Sequence, residues 1–310
     1  MPCLWPTVTM KPLATFVSDI HLSLHPPACR MEEDWLSVQK RYLGQLKEIS
    51  EGSPIFIAGD LFDRWNPPPE VLHFALRELP ENCFAVPGQH DLLNHRLDQM
   101  HRSGYGVLVA AGKIQDLSGG KEEVVEGRFR VRGYGWGEEI RPPSNGLPVC
   151  LLAHRYIWKE GRSHPGASPE NHYSQMNLSG YRWAVFGDNH KGFVIRLKFG
   201  SLVICNSGTF IRRKSDEVDL QPAVHVIDSK LQFKSYLLDT SEDKIREVAE
   251  TEEESHPLNL DAFISSLEGL GEAGLNFREA VEMYVKNHPE LPSGVVEMLL
   301  HSLSHHENLD

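Results

Sequence analysis

The chain has 310 residues, 40% hydrophobic and 24% charged, with a formal net charge of -12. No apolar run approaches the ~18 residues a membrane span requires, so a membrane-spanning protein is excluded from the reading. The five cysteines are widely spaced and show no CxxC, which argues against a disulfide framework or a zinc knuckle and predicts a reducing, cytoplasmic setting.

The opening residues carry neither a basic stretch nor an uninterrupted apolar one, which predicts no secretory signal. In chain order, LATFVSD predicts a strand over 13–19, and the apolar spacing of residues 32–49 predicts an amphipathic helix. PIFIAGD predicts a strand over 54–60, and prolines at 67–69 start a helix over 67–79. Further strands are predicted over 83–88, 149–154, 183–188, 202–208 and 223–228. In RFRVR, Arg128, Arg130 and Arg132 fall on one strand face, where they would meet phosphates. The alternation predicts an α/β layered domain over residues 10–238. An acidic linker over 239–257 follows, then a C-terminal segment over 258–310 with short helices over 263–270, 277–288 and 295–306. Residues 236–310 hold 17 acidic against 4 basic side chains, which leaves 26 and 27 in residues 1–235. The net charge therefore belongs to the tail, and the strand-bearing part is nearly neutral.

Polar residues gather where strands finish, the edge of an α/β sheet at which ligands collect. The clusters are SDIHL (18–22), GDLFD (59–63), PGQHD (87–91), AHR (153–155) and GDNH (187–190). Asp19 and His21 lie two apart, so an extended segment points both to one side, a spacing that can hold a cation. A mixed carboxylate and imidazole donor set suits Mn, Fe or Zn better than Mg or Ca.

The ordered series resembles the calcineurin-like metallophosphoesterases, whose pattern runs DxH, GDxxD, GNH(D/E), H and GHxH; the match spans about residues 13–228. GDLFD before a proline-rich helix start, and HD followed closely by His95, are most similar to SbcD-type DNA repair nucleases. The resemblance implies a layered β-sandwich flanked by helices, with a small C-terminal helical segment. It implies two divalent metal ions, Mn2+ first, with Fe, Zn or Mg as alternatives. Asp19, His21 and His190 would hold the first ion, while His154 and the positions of Gln89 and Asp188 would hold the second, and Asp60 would bridge them. His90 would protonate the leaving oxygen or stabilise the charge on it, and Asp91 would orient His90. Asn94 and His95 would touch substrate near the leaving group. Arg155, which follows His154, is a further substrate-binding candidate. Arg212 or Arg213, in NSGTFIRRKSDE (206–217), would reach a phosphate. Two departures fall on the second ion: Gln89 stands for the usual Asn, and Asp188 for the usual first His of GHxH.

The resemblance thus implies a metal-dependent DNA exonuclease or endonuclease. The alternatives are a phosphatase or phosphodiesterase for a nucleotide or phosphoprotein, and a catalytically degenerate binding module. GDLFDR does contain the GDxxDR element of protein phosphatases, but Trp65 stands where they have Gly. The implied partners are DNA and, through the C-terminal helices, an ATPase or a second copy of the chain, with no membrane.

Overall fold

In the computed structural model the described residues are 10–164, 166–197, 201–214, 217–246 and Lys286. They contain twelve strands and three α-helices, arranged as two six-stranded sheets with helices. The chain divides into two compact units. The second comprises residues 164–171 and 250–310, of which a 3-10 turn at Pro169–Asn171 is described. Nearly all the expected C-terminal segment, and residues 247–257 of the expected linker, lie outside the described residues.

The first unit is an α/β sandwich. Its first sheet contains β1 (Pro12–Val17), β2 (Ile55–Ala58), β3 (Cys83–Val86) and β4 (Ile114–Asp116), all parallel, extended past β1 by antiparallel β11 (Ala223–Asp228) and β12 (Phe233–Leu237). The second sheet is built on parallel β6 (Phe129–Tyr134), β7 (Val149–His154), β8 (Trp183–Gly187) and β10 (Val203–Asn206). Its edges are antiparallel β5 (Glu122–Val125) and β9 (Phe193–Arg196).

The central strands read as continuous apolar runs because both of their faces are buried. Along β2, Phe56 and Ala58 enter the core between the sheets while Ile55 and Ile57 face the helices. Along β7, Cys150 and Leu152 turn inward while Val149, Leu151 and Ala153 turn to the outer side. Phe16, Phe56 and Phe84 stack across the inner face of the first sheet, with ring centroids 5.2 and 5.1 Å apart. The helices α1 (Trp35–Ser50), α2 (Pro69–Glu78) and α3 (Gly104–Ala110) cover the outer face of the first sheet through Tyr42, Leu46, Phe74, Tyr105 and Leu108. Asp34 caps α1 by accepting the Ser37 N–H at 3.0 Å, and Pro69 opens α2. Among the described residues the outer face of the second sheet is covered by loop side chains, including Ile157, Leu178 and Tyr181, rather than by helices.

The stretch expected to be a linker begins inside the fold. The buried Asp243 carboxylate accepts from Arg30 at 2.9 Å, Arg41 at 2.7 Å, Tyr42 at 2.7 Å and Arg212 at 2.9 Å. Burial alone would raise its pKa, but these donors hold the carboxyl at about 2. Removing one partner of a buried pair leaves the others uncompensated, so Asp243→Asn is expected to cost roughly 3 kcal/mol at neutral pH. The carboxyl is depressed by folding, so its contribution is full above pH ~4 and is lost as pH falls through about 2. Urea unfolding of both proteins from pH 7 to pH 2.5 should show a gap that narrows below pH 4. A gap that is constant across this range would mean the carboxylate charge is not what stabilises the cluster.

Candidate metal centre

The carboxyl ends of β1, β2, β3, β7 and β8 meet at one edge of the sandwich, and the clusters picked out in the sequence meet with them. Asp19 and His21 follow β1, Asp60 follows β2, Gln89 and His90 follow β3, His154 ends β7, and Asp188 and His190 follow β8. Asp19, His21, Asp60 and Asp188 all have positive φ, at 52°, 49°, 50° and 85°. Such conformations are sparsely populated for residues other than glycine and gather at functional sites. The glycines of the motifs serve close approach. A Cβ on Gly59 would lie 2.1 Å from His154 Nδ1, and one on Gly88 would lie 1.9 Å from Asp60 Oδ1.

Three groups of side chains bring donor atoms within 4.8 Å of one another: Asp19, His21 and His190; His21, Asp60 and His90; and Asp19, Asp60 and His154. His21 Nε2 and His190 Nε2 face each other at 3.3 Å, and each lies about as far as a shared cation allows from Asp19 Oδ1, at 4.0 and 3.9 Å. Asp60 Oδ2 is 3.8 Å from His21 Nε2, 4.0 Å from His90 Nε2 and 3.4 Å from His154 Nε2. The site is deeply buried except at His90, whose side chain is 29% exposed.

The opposite ring nitrogens fix which atoms turn inward. His190 Nδ1 donates to Glu217 Oε1 at 2.5 Å, His154 Nδ1 to the Ala58 carbonyl at 2.6 Å, and His90 Nδ1 to the Asp63 carbonyl at 2.9 Å. A carbonyl only accepts, so the proton sits on Nδ1 of His154 and His90, and Nε2 faces the centre. His154 Nε2 then stands 2.7 Å from Gln89 Oε1, two atoms that need a cation or a further proton between them. Asp188 Oδ2 is buried without a hydrogen bond. Burial pushes Asp188 up to about 7 and also raises Asp19. Burial would raise Asp60 too, but His154 and His90 hold it at about 2. Facing lone pairs, an orphaned buried carboxylate oxygen and under-compensated negative charge are what a bound divalent cation satisfies, so these residues fit the metal role.

Three expected roles change. Asp91 serves the main chain. Its carboxylate accepts the backbone N–H groups of Leu61 at 3.2 Å, Phe62 at 2.9 Å and Gly88 at 3.0 Å, which ties the loop after β2 to the loop after β3. His90 is oriented instead by the carbonyl of Asp63. Arg212 and Arg213 diverge. Arg212 points to the Asp243 cluster and is lost to the phosphate reading, whereas Arg213 reaches the Asp63 carboxylate beside His21. Asp188 belongs to none of the three convergent groups; its Oδ1 accepts from the Gln89 side-chain amide at 2.9 Å.

Arg155 leaves β7 exposed, and Asn94 and His95 are exposed with positive φ. The His95 ring meets the edge of Trp136, with centroids 6.4 Å apart, and Trp136 lies 6.2 Å from the His154 ring. Trp136 is thus a half-buried aromatic wall at the rim, which no sequence motif marks as a site residue. Sequence reasoning also missed Glu217. Its carboxylate holds His190 and accepts the Arg213 and Lys214 N–H groups at 2.6 and 3.1 Å, so one side chain braces a candidate ligand and the loop carrying Arg213.

Residues 14–192 match the model of the calcineurin-like phosphoesterase family. The chain is 30% identical over 122 residues to a UDP-2,3-diacylglucosamine hydrolase of Pectobacterium atrosepticum, a match covering 36% of this chain and 46% of that protein. It thus spans somewhat under half the length of this curated relative, whose name is not that of a DNA repair nuclease. Among solved structures, TT1561 of Thermus thermophilus is similar at 10% identity and a TM-score of 0.41, covering 74% of this chain and 99% of that one. A 5'-nucleotidase precursor from the same organism is similar at 13% identity and a TM-score of 0.42, covering 73% and 54%. The family match extends across the strand ends that carry Asp19, His21, Asp60, His90, His154 and His190, and the chain belongs to the calcineurin-like phosphoesterases.

Proposed function

We propose that the chain hydrolyses a phosphodiester or phosphoanhydride bond in a nucleotide-containing substrate, with a small nucleotide conjugate ahead of DNA. The observation that carries the hydrolytic reading is Asp60: its Oδ2 lies within 4.0 Å of three histidine Nε2 atoms that belong to different strand ends. When bound, divalent cations at such a site polarise phosphoryl oxygens and lower the pKa of water. Asp19, His21, His190 and Asp60 would hold one cation, and His154, Gln89 and Asp60 the other. His90, partly exposed and fixed through Nδ1–H, would as the imidazolium deliver a second proton from Nε2 to the leaving oxygen. Arg213, braced by Asp63, supplies a cation near His21 for a non-reacting phosphate oxygen.

Three observations favour the small substrate. The arginines expected to meet DNA are engaged within the fold: Arg130 donates to Glu122 and to the carbonyl of Ser144, Arg132 to the carbonyl of Gly120, and Arg128 to the carbonyl of Ser229. The relative's name also denotes a nucleotide-linked substrate. Trp136, beside His154, offers a flat aromatic face on which a base would stack. DNA cleavage, exo or endo, is the second reading. It is favoured by the nuclease-like form of GDLFD and PGQHD and by His95 standing at the rim.

The deciding assay offers the purified chain bis(p-nitrophenyl) phosphate, a UDP-linked sugar, a 5'-nucleotide, and end-labelled single- and double-stranded DNA, each with Mn, Mg, Zn or chelator. Metal-dependent cleavage of the diester and the UDP conjugate is expected, with DNA cut slowly or not at all. Preferential cleavage of DNA would establish the second reading, and inertness toward every substrate with every metal would sink the hydrolytic one.

A further inference from the structure

The two halves of the centre are not built alike. On the side of Asp19, His21 and His190, three donor atoms converge within 4.8 Å, and each outer contact fixes the orientation of a ligand. Glu217 accepts from His190 Nδ1, while the Asp188 N–H and the Ser18 hydroxyl donate to the Asp19 carboxylate. On the other side, two side chains that would bind a cation are occupied with each other. Gln89 carries one methylene more than asparagine, and its amide spans from His154 Nε2, 2.7 Å from its oxygen, to Asp188 Oδ1, 2.9 Å from its nitrogen. The amide nitrogen thus faces Asp188 and the amide oxygen faces His154. Asp188 is therefore engaged in orienting Gln89 and does not converge with Asp60 and His154.

We propose that the chain holds its two cations unequally: one tightly at Asp19, His21, His190 and Asp60, and one weakly at His154, Gln89 and Asp60, with Asp188 anchoring Gln89 instead of ligating. The tight site has two carboxylates and two imidazoles. The weak one has no carboxylate of its own, because Asp60 and Asp19, which both reach it, also serve the tight site, and its remaining donors are one imidazole and a neutral amide, so it has less anionic charge to offset the cost of dehydrating a divalent ion. This inference rests on the metal-dependent reading and is independent of the substrate.

The test is isothermal titration of the metal-depleted full chain with Mn2+, beside metal counting after gel filtration and circular dichroism to verify that each variant is folded. The wild type should retain about one ion per chain after gel filtration and bind a second in a separate step at least ~10-fold weaker, the scale on which outer-shell partners act. His190→Ala should abolish the tight step, and His154→Ala should abolish the weak step and keep the tight one. Gln89→Asn, which shortens the bridge and releases Asp188, should tighten the second step by about 10-fold. Two equivalent ions in the wild type, loss of the tight step in His154→Ala, or an unchanged second step in folded Gln89→Asn would each overturn the proposal. Because no readout is turnover, a failed substrate assignment cannot be mistaken for a failed metal assignment.

Discussion

His90→Ala is expected to lower kcat by about 10²- to 10⁴-fold on a substrate with a poor leaving group, while the tightly held Mn2+ stays in place. The imidazole is pinned from behind by the Asp63 carbonyl, and its main-chain N–H donates to Asp60 Oδ1 at 3.0 Å, so both ring and backbone are registered against the centre. Its side chain is also the most exposed of the site histidines, as a group that meets substrate must be. The leaving group separates its possible roles. p-Nitrophenolate departs without a proton, so the variant should retain most of its activity on p-nitrophenyl esters and lose it on nucleoside or alkyl esters. His90 also belongs to the convergent group with His21 and Asp60, so ligation is the competing role. Equal loss on both ester types, together with loss of the tight ion, would assign His90 to the metal and not to the proton.

The strand ends were legible because their chemistry sits in short motifs after strands buried on both faces, where a carboxylate or imidazole has no packing reason to appear. What escaped the sequence is long-range or peripheral. Glu217 lies 27 residues beyond His190, and no local pattern joins them. Arg212 and Arg213 are neighbours whose side chains part company, one to Asp243 and one to Asp63, a choice made by how the loop after β10 lies. Asp91 was assigned to the nearest histidine, yet its side chain turns back to three backbone N–H groups. Strands β4, β5, β9 and β12 were missed because they are short edge strands with half-exposed, polar-mixed residues, such as EEVV in β5. Helix α3, with sequence GYGVLVA, carries two glycines and two valines, so its helical state comes from packing Tyr105 and Leu108 into the core and from the Ser103 cap. Asp243 lies in an acidic stretch that composition alone makes a tether, and only its arginine partners, about 200 residues earlier for Arg30 and Arg41, reveal it as buried.

Asp60→Asn is expected to remove both cations and to lower kcat/KM by at least roughly 10³-fold, beyond the 10- to 100-fold typical of residues that only position a ligand. Asn keeps the size of the side chain and deletes its charge, so the change isolates electrostatics. Asp60 owes this weight to its position: its Oδ2 serves His21, His90 and His154 from three separate strand ends, and the absence of a Cβ at Gly88 makes room for its Oδ1. Burial disfavours the anion, yet His154 and His90 keep it ionised down to about pH 2, so a negative charge is present at any working pH for a cation to meet. The check is thermal melting with and without Mn2+. A ligand that binds only the folded state raises Tm, so the wild type should melt higher with Mn2+ and the variant should not respond. If metal-free Asp60→Asn melts near the metal-free wild type, the activity loss is a metal loss and not an unfolding. A variant that keeps the Mn2+-dependent rise in Tm would place the shared carboxylate elsewhere, with Asp19, which also reaches both halves of the centre, as the next residue to change.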